Sequence, residues 1–186
     1  MKVSLPEEAV TYDVADLLGI ELDLQGKYEE AKVFKLAALE GRRSVLAEEQ
    51  KETLGSQNNI GIIFDKLKDY EGALNYYQQA RRVQEKVLGK THSDTFDTIM
   101  NMAIVYKDGL KDFTKAEEMY RLSLDGYERS SLGKDHEETK RCARNLARLL
   151  CWNLKSKEKT RELAKRNPHL LNDTDFIPDI LSGEGE

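Results

Sequence analysis

The sequence predicts an all-α protein built as a solenoid of antiparallel helix pairs. Apolar residues recur at spacings of three and four through most of the chain, the mark of one buried helix face. The same anchor residues return every 42 to 44 positions, the mark of a stacked repeat. Only three prolines occur, and none lies between Pro6 and Pro168, so no pyrrolidine ring interrupts that stretch.

Taken in order, residues 1–9 read as a lead-in. Val10, Val14, Leu17, Leu18 and Leu22 set an apolar face on a first helix, which Gly26 closes. Tyr28 opens a second helix, with Ala31, Phe34, Ala38 and Val45 on one side. A second pair follows: Ile60, Gly61, Ile63, Phe64 and Leu67, then Tyr70, Ala73, Tyr76, Tyr77 and Ala80, ending at Leu88-Gly89. Thr91, His92, Ser93 and Asp94 supply capping groups for a third pair. Its faces are Ile99, Met102, Ala103 and Tyr106, then Phe113, Ala116, Met119, Tyr120 and Ser123, stopped at Leu132-Gly133. The fourth pair has Thr139, Ala143, Leu146, Ala147 and Leu150 on its first helix and a short, highly charged second helix over 156–166. A polar closing helix suits the end of an array, so the repeats are expected over 10–49, 50–91, 92–135 and 136–167, with an acidic, flexible tail at 168–186.

The register is consistent across anchors. Tyr28, Tyr70 and Phe113 correspond, as do Ala31, Ala73 and Ala116, and Thr53, Thr95 and Thr139. Gly19, Gly61, Ala103 and Ala147 are small where two helices must approach closely. The stretches GKYEEA (26–31), NNIGIIF (58–64), KDYEGALNYYQQA (68–80), LGKTHSDT (88–95) and LGKDHEET (132–139) carry a family likeness. With these the sequence resembles the tetratricopeptide repeat family, in the longer-repeat form of kinesin light chains and nephrocystin-like proteins. The resemblance implies a right-handed superhelix whose first helices line a concave wall, and a role in binding proteins. It departs from the family where prolines often follow the joint histidines, at Ser93 and Glu137, in having Leu46-Ala47 in place of a Leu-Gly joint, and in closing the fourth repeat with Lys- and Arg-rich sequence where aromatics are expected.

The 186 residues suffice for a real core. The net charge of −5 is unevenly spread: residues 134–167 carry +6 and residues 168–186 carry −5. Cys142 and Cys151 are nine apart on one helix and point to different faces, so they cannot bridge and a reducing compartment is expected. No apolar run is long enough for a membrane span, and the N-terminus lacks a signal-peptide core; a cytoplasmic, cytoskeleton-associated location is the expectation.

The candidate binding residues come from the first helices. Asn59, Asn101 and Asn145 recur two positions before the small packing residue. An amide offers both donor and acceptor, so it can pair with the main chain of an extended peptide without reading its sequence; the resemblance implies that use, while helix-to-helix bonding is the plainer alternative. Arg141, Arg144 and Arg148 fall on one face of the fourth repeat's first helix and suit carboxylates, with Lys66 and Lys107 nearby in earlier repeats; a merely solvated face is the alternative. The expected ligand is therefore an acidic protein segment. The tail, NDTDFIPDILSGEGE, interleaves acids with Phe176, Ile177, Ile180 and Leu181 and is itself such a segment; it is expected to dock in a groove, its own or a neighbour's, which gives a route to self-association, with a disordered terminus as the alternative. Packing within a larger cytoskeletal, motor or ciliary assembly is the second reading. Nucleic-acid binding through 134–167 fits poorly, because the bases alternate with acids and few aromatics intervene. No phosphate loop, nucleophile elbow, zinc-protease motif or metal spacing occurs, so no enzyme activity and no cofactor are expected. His92 and His136 read as caps, and Tyr76, Tyr77 and Tyr120 as packing residues.

Overall fold

The structure, a computed structural model, describes the backbone of residues 7–45 and 51–172 and the side chains of 12–43 and 55–171. The segment 173–186, on which the tail expectations fall, lies outside the described residues, as does the joint at 46–50. Among the described residues there are eight α-helices and no strand. They belong to two compact units, Met1–Gly89 and Lys90–Glu186.

The first unit holds α1 (Glu7–Leu24), α2 (Tyr28–Val45), α3 (Lys51–Lys66) and α4 (Tyr70–Val87). Helices pair α1 with α2 and α3 with α4, and α2 packs on α3. Ala31, Ala38, Ile60, Ile63, Ala73, Tyr77 and Ala80 are buried, as their spacing predicts. Small residues set the approach of the paired helices. A Cβ built on Gly61 would lie 2.5 Å from the Tyr77 ring, so the ring occupies the space that any side chain at 61 would need.

One expectation fails in this unit. Val14, Leu17 and Leu18, read as the buried face of α1, are exposed, at 51%, 64% and 46%. Phe34 also lies on the rim. Besides the Tyr12 ring, which covers Gly41, α1 turns charged groups toward α2. Lys35, only 3% exposed, lays its methylenes over Gly19 and donates to Asp16 at 2.9 Å. Arg42, 6% exposed, donates to Asp13 at 2.8 Å, to Asp16 at 3.3 Å and to the Ser56 hydroxyl. Apolar periodicity assigned the wrong face because these long cationic chains bury their stems and leave only the charge to be paired.

The second unit holds α5 (Ser93–Ile104), α6 (Phe113–Arg129), α7 (Glu137–Arg148), α8 (Lys157–Arg166) and a 3-10 turn, Pro168–Asn172. Its core joins Ile99, Ala103, Ala116, Tyr120, Leu124, Tyr127, Leu146, Leu149, Leu150, Leu163 and Leu170. Leu170 is 1% exposed, so the packed core continues past the boundary expected at residue 167. His92 and His136 are caps: each Nδ1 accepts from the amide two residues on, Asp94 at 3.3 Å and Glu138 at 3.2 Å.

The 42-to-43 drift in repeat length has a local cause. From Thr53 to Lys68 the chain uses one residue fewer than from Thr95 to Lys111 or from Thr139 to Lys155. The extra residue is absorbed by a π-turn, Val105–Gly109 after α5 and Leu149–Asn153 after α7. There Leu110 N–H bonds Val105 C=O and Leu154 N–H bonds Leu149 C=O, five residues back, where Leu67 N–H in the shorter repeat bonds Ile63 C=O, four back. All three joints then turn on a lysine in the left-handed region: Lys68 at φ 63°, Lys111 at 56° and Lys155 at 50°. The first pair has Gly26 there, at φ 75°.

Two predictions follow from this geometry. A left-handed lysine costs about 1 kcal/mol that glycine avoids, so Lys68→Gly or Lys111→Gly should raise the urea midpoint of unfolding. Asp16→Asn leaves Lys35 and Arg42 buried with reduced compensation and should lower stability by about 3 kcal/mol, read from the same denaturation curves.

Candidate peptide-binding surface

Helix α7 carries the clearest surface. At 100° per residue its buried line is Thr139, Cys142, Ala143, Leu146 and Ala147. Arg141, Asn145 and Arg148 fall on the opposite side, with Arg144 at its margin, so the arginine stripe and the asparagine share one outward face. Two of the arginines are held locally. Arg141 donates to Glu138, and Arg144 donates to Glu137 at 2.6 Å. Arg144 keeps the Glu137 carboxyl below the usual carboxylate range. His169, from the 3-10 turn, is pushed below the ordinary histidine range by burial and by Arg144 and Lys140, so it adds no charge here at neutral pH.

Of the asparagines, Asn59 lies on α3 in the first unit and is exposed. Asn101 on α5 and Asn145 on α7 lie in the second and are half-buried. The position forty-two residues before Asn59 holds Leu17, exposed on α1, so the asparagine series does not extend to the first pair. Among the two lysines, Lys66 pairs with Asp23 and sits 5.3 Å from the centre of the Tyr28 ring, while Lys107 pairs with Asp108 at 3.3 Å.

The basic segment is more neutral in three dimensions than in sequence. Lys159 of α8 bonds Glu117 of α6 at 2.9 Å, and Arg166 reaches Asp125 and Glu128 at 3.1 Å. Burial opposes the Glu117 charge, yet Lys159 and Arg121 together hold its carboxyl below the ordinary value. Two of the cations of 134–167, Lys159 and Arg166, thus pin α8 to α6.

Sequence reasoning missed a polar contact under the α5–α7 region. Tyr127, fully buried, donates its hydroxyl to Asp97. Burial, followed by Glu138 and Asp94, pushes the Asp97 carboxyl above the usual range, against the pull of Tyr127 and Arg141. No motif marks this pair; only the thirty-residue separation closed by α5–α6 packing makes it. Cys142 is likewise inert: burial pushes its thiol up to about 12. Neither cysteine forms a disulfide.

The tetratricopeptide repeat model matches residues 14–86, 52–129 and 94–159. The chain belongs to the tetratricopeptide repeat family. It is 28% identical over 169 residues to Protein KINESIN LIGHT CHAIN-RELATED 2 of Arabidopsis thaliana. That alignment covers 90% of this chain and 24% of the relative, so the chain spans about a quarter of that protein's length. Among solved structures it is similar to BtubC (BKLC) of P. vanneervenii, with TM-score 0.77 and 19% identity over 92% of this chain and 67% of that one. It is also similar to a Podosopora anserina protein of kinesin light chain type with nearly identical TPR-like repeats, with TM-score 0.74 and 17% identity over 91% and 79%. These structures share the helical-hairpin solenoid fold, and the family's fold is that of a protein-interaction module. No helix among the described residues is long and apolar enough to cross a membrane.

The Asp97 environment yields a pH prediction. Its folded pKa is raised, so its contribution to stability is full in acid and falls as pH rises through that value. Asp97→Asn should remove that decline, and the melting-temperature difference from wild type should grow in the variant's favour above the ordinary carboxylate range.

Proposed function

We propose that this chain is a non-catalytic adaptor that binds an extended, acidic peptide segment. The amides of Asn59, Asn101 and Asn145 take the peptide main chain. Arg141, Arg144 and Arg148 take its carboxylates, and Lys66 and Lys107 add positive charge. The observation that carries this reading is the α7 face, where the arginines and Asn145 lie together away from the core. Glu138 and Glu137 hold Arg141 and Arg144 in solvent-screened pairs on their own helix, so a ligand carboxylate displaces them at little cost. Two reduced cysteines and relatives of kinesin light chain type support a cytoplasmic, cytoskeleton-associated setting.

A second reading is a structural subunit of a cytoskeletal, motor or ciliary assembly. The exposed apolar face of α1, with Val14, Leu17, Leu18 and Leu24, favours it.

Titration of a fluorescent acidic peptide separates them. Charge reversal of Arg141, Arg144 and Arg148 together should weaken binding at least tenfold, equivalent to about 1.4 kcal/mol, and wild-type affinity should fall as salt rises. Asn59→Ala with Asn101→Ala should weaken it independently of peptide charge. Affinity indifferent to both sets, with co-sedimentation lost in Leu17→Glu, would move the function to the α1 face.

A further inference from the structure

The fourth helix pair lacks a residue that the other three have. Tyr28, Tyr70 and Phe113 open α2, α4 and α6, and each is half-buried. The corresponding opening residue of α8 is Lys157, which is exposed. Beside Lys157 there is a cavity of about 420 Å³ with mainly apolar walls. Cys151, Trp152, Lys155 and Lys157 line it. Trp152, the only tryptophan, is 56% exposed on its wall.

We infer that this cavity is the docking site of the chain's own C-terminal segment, with Phe176 supplying the ring that α8 omits. Charge fits: the segment 173–186 has Asp173, Asp175, Asp179, Glu184 and Glu186 and no Lys or Arg, while Lys155 and Lys157 stand at the cavity mouth. Apolar content fits as well, since Phe176, Ile177, Ile180 and Leu181 interleave with those acids. So does reach. The ten residues of α8 span about 15 Å, and residues 176–181 begin four positions beyond Asn172, or about 13 Å of extended chain, and run to about 30 Å. The contact buries an aromatic ring against Trp152 and sets exposed carboxylates beside exposed amines, so it is reversible and weakened by salt. Trp152 follows Arg148 by four residues, so the cavity adjoins the end of the Asn and Arg surface.

Trp152 reports directly on its own cover. In the full-length chain, Phe176→Ser with Ile177→Ser should shift the emission to longer wavelength and raise acrylamide quenching. Lys155→Glu with Lys157→Glu should do the same, and high salt should mimic both in wild type. Lys157→Phe, which restores the missing ring, should free the tail while keeping Trp152 shielded, seen as sharpened tail resonances by NMR. Circular dichroism confirms that each variant stays helical. Quenching identical in wild type and the Phe176/Ile177 variant overturns the inference. So does Trp152 shielding that disappears on dilution, which would assign the cover to a second molecule.

Discussion

Everything in each unit depends on how closely the two helices of a pair can approach. Ala31, Ala73 and Ala116 are fully buried, and opposite such small residues an aromatic fills the gap. Gly61 yields to the Tyr77 ring, and Gly126 yields to Phe96, where a Cβ would come within 2.1 Å. Interiors are packed to near-crystal density, so a methyl group at these positions has nowhere to go. Close pairing then fixes which face of the first helix turns outward. The placement of Arg141, Asn145 and Arg148 is a consequence of the burial of Cys142, Ala143, Leu146 and Ala147, rather than an independent feature.

The polar interior of α1–α2 shows a different solution to the same problem. Here closeness comes from Gly19 lying under the Lys35 stem, and the charge of Lys35 and Arg42 is met by Asp13 and Asp16. Such an arrangement contributes less to stability than a well-packed apolar contact, but it cannot be half broken without leaving a buried charge. It also releases the leucines of α1 to the surface, giving one α1 face an apolar character that the α7 face lacks.

Charge behaves in the same two-level way. A run of bases at 134–167 is visible in the sequence as an asymmetry. Folding divides it between Lys159 and Arg166, which hold α8 against α6, and Arg141 and Arg144, which keep only exposed partners on their own helix.

The helices, their pairing and the repeat were legible in the sequence, because a 3.6-residue period and a 42-residue anchor spacing are local and additive signals. So were the caps at His92 and His136. The sequence placed the asparagines and arginines on first helices correctly, since helix phase follows from burial spacing. Only the packed helices showed that α1 meets buried Lys35 and Arg42 with Asp13 and Asp16 and leaves Leu17 and Leu18 exposed, because a lysine or arginine stem is invisible to a hydrophobicity pattern. The tertiary structure alone showed that the extra residue of the later repeats becomes a π-turn, since length says that a residue was added and not which carbonyl its amide will find. And it alone joined Asp97 to Tyr127 and opened the hollow beside Trp152, because contacts between distant residues, and the spaces they leave, exist only once the helices have packed.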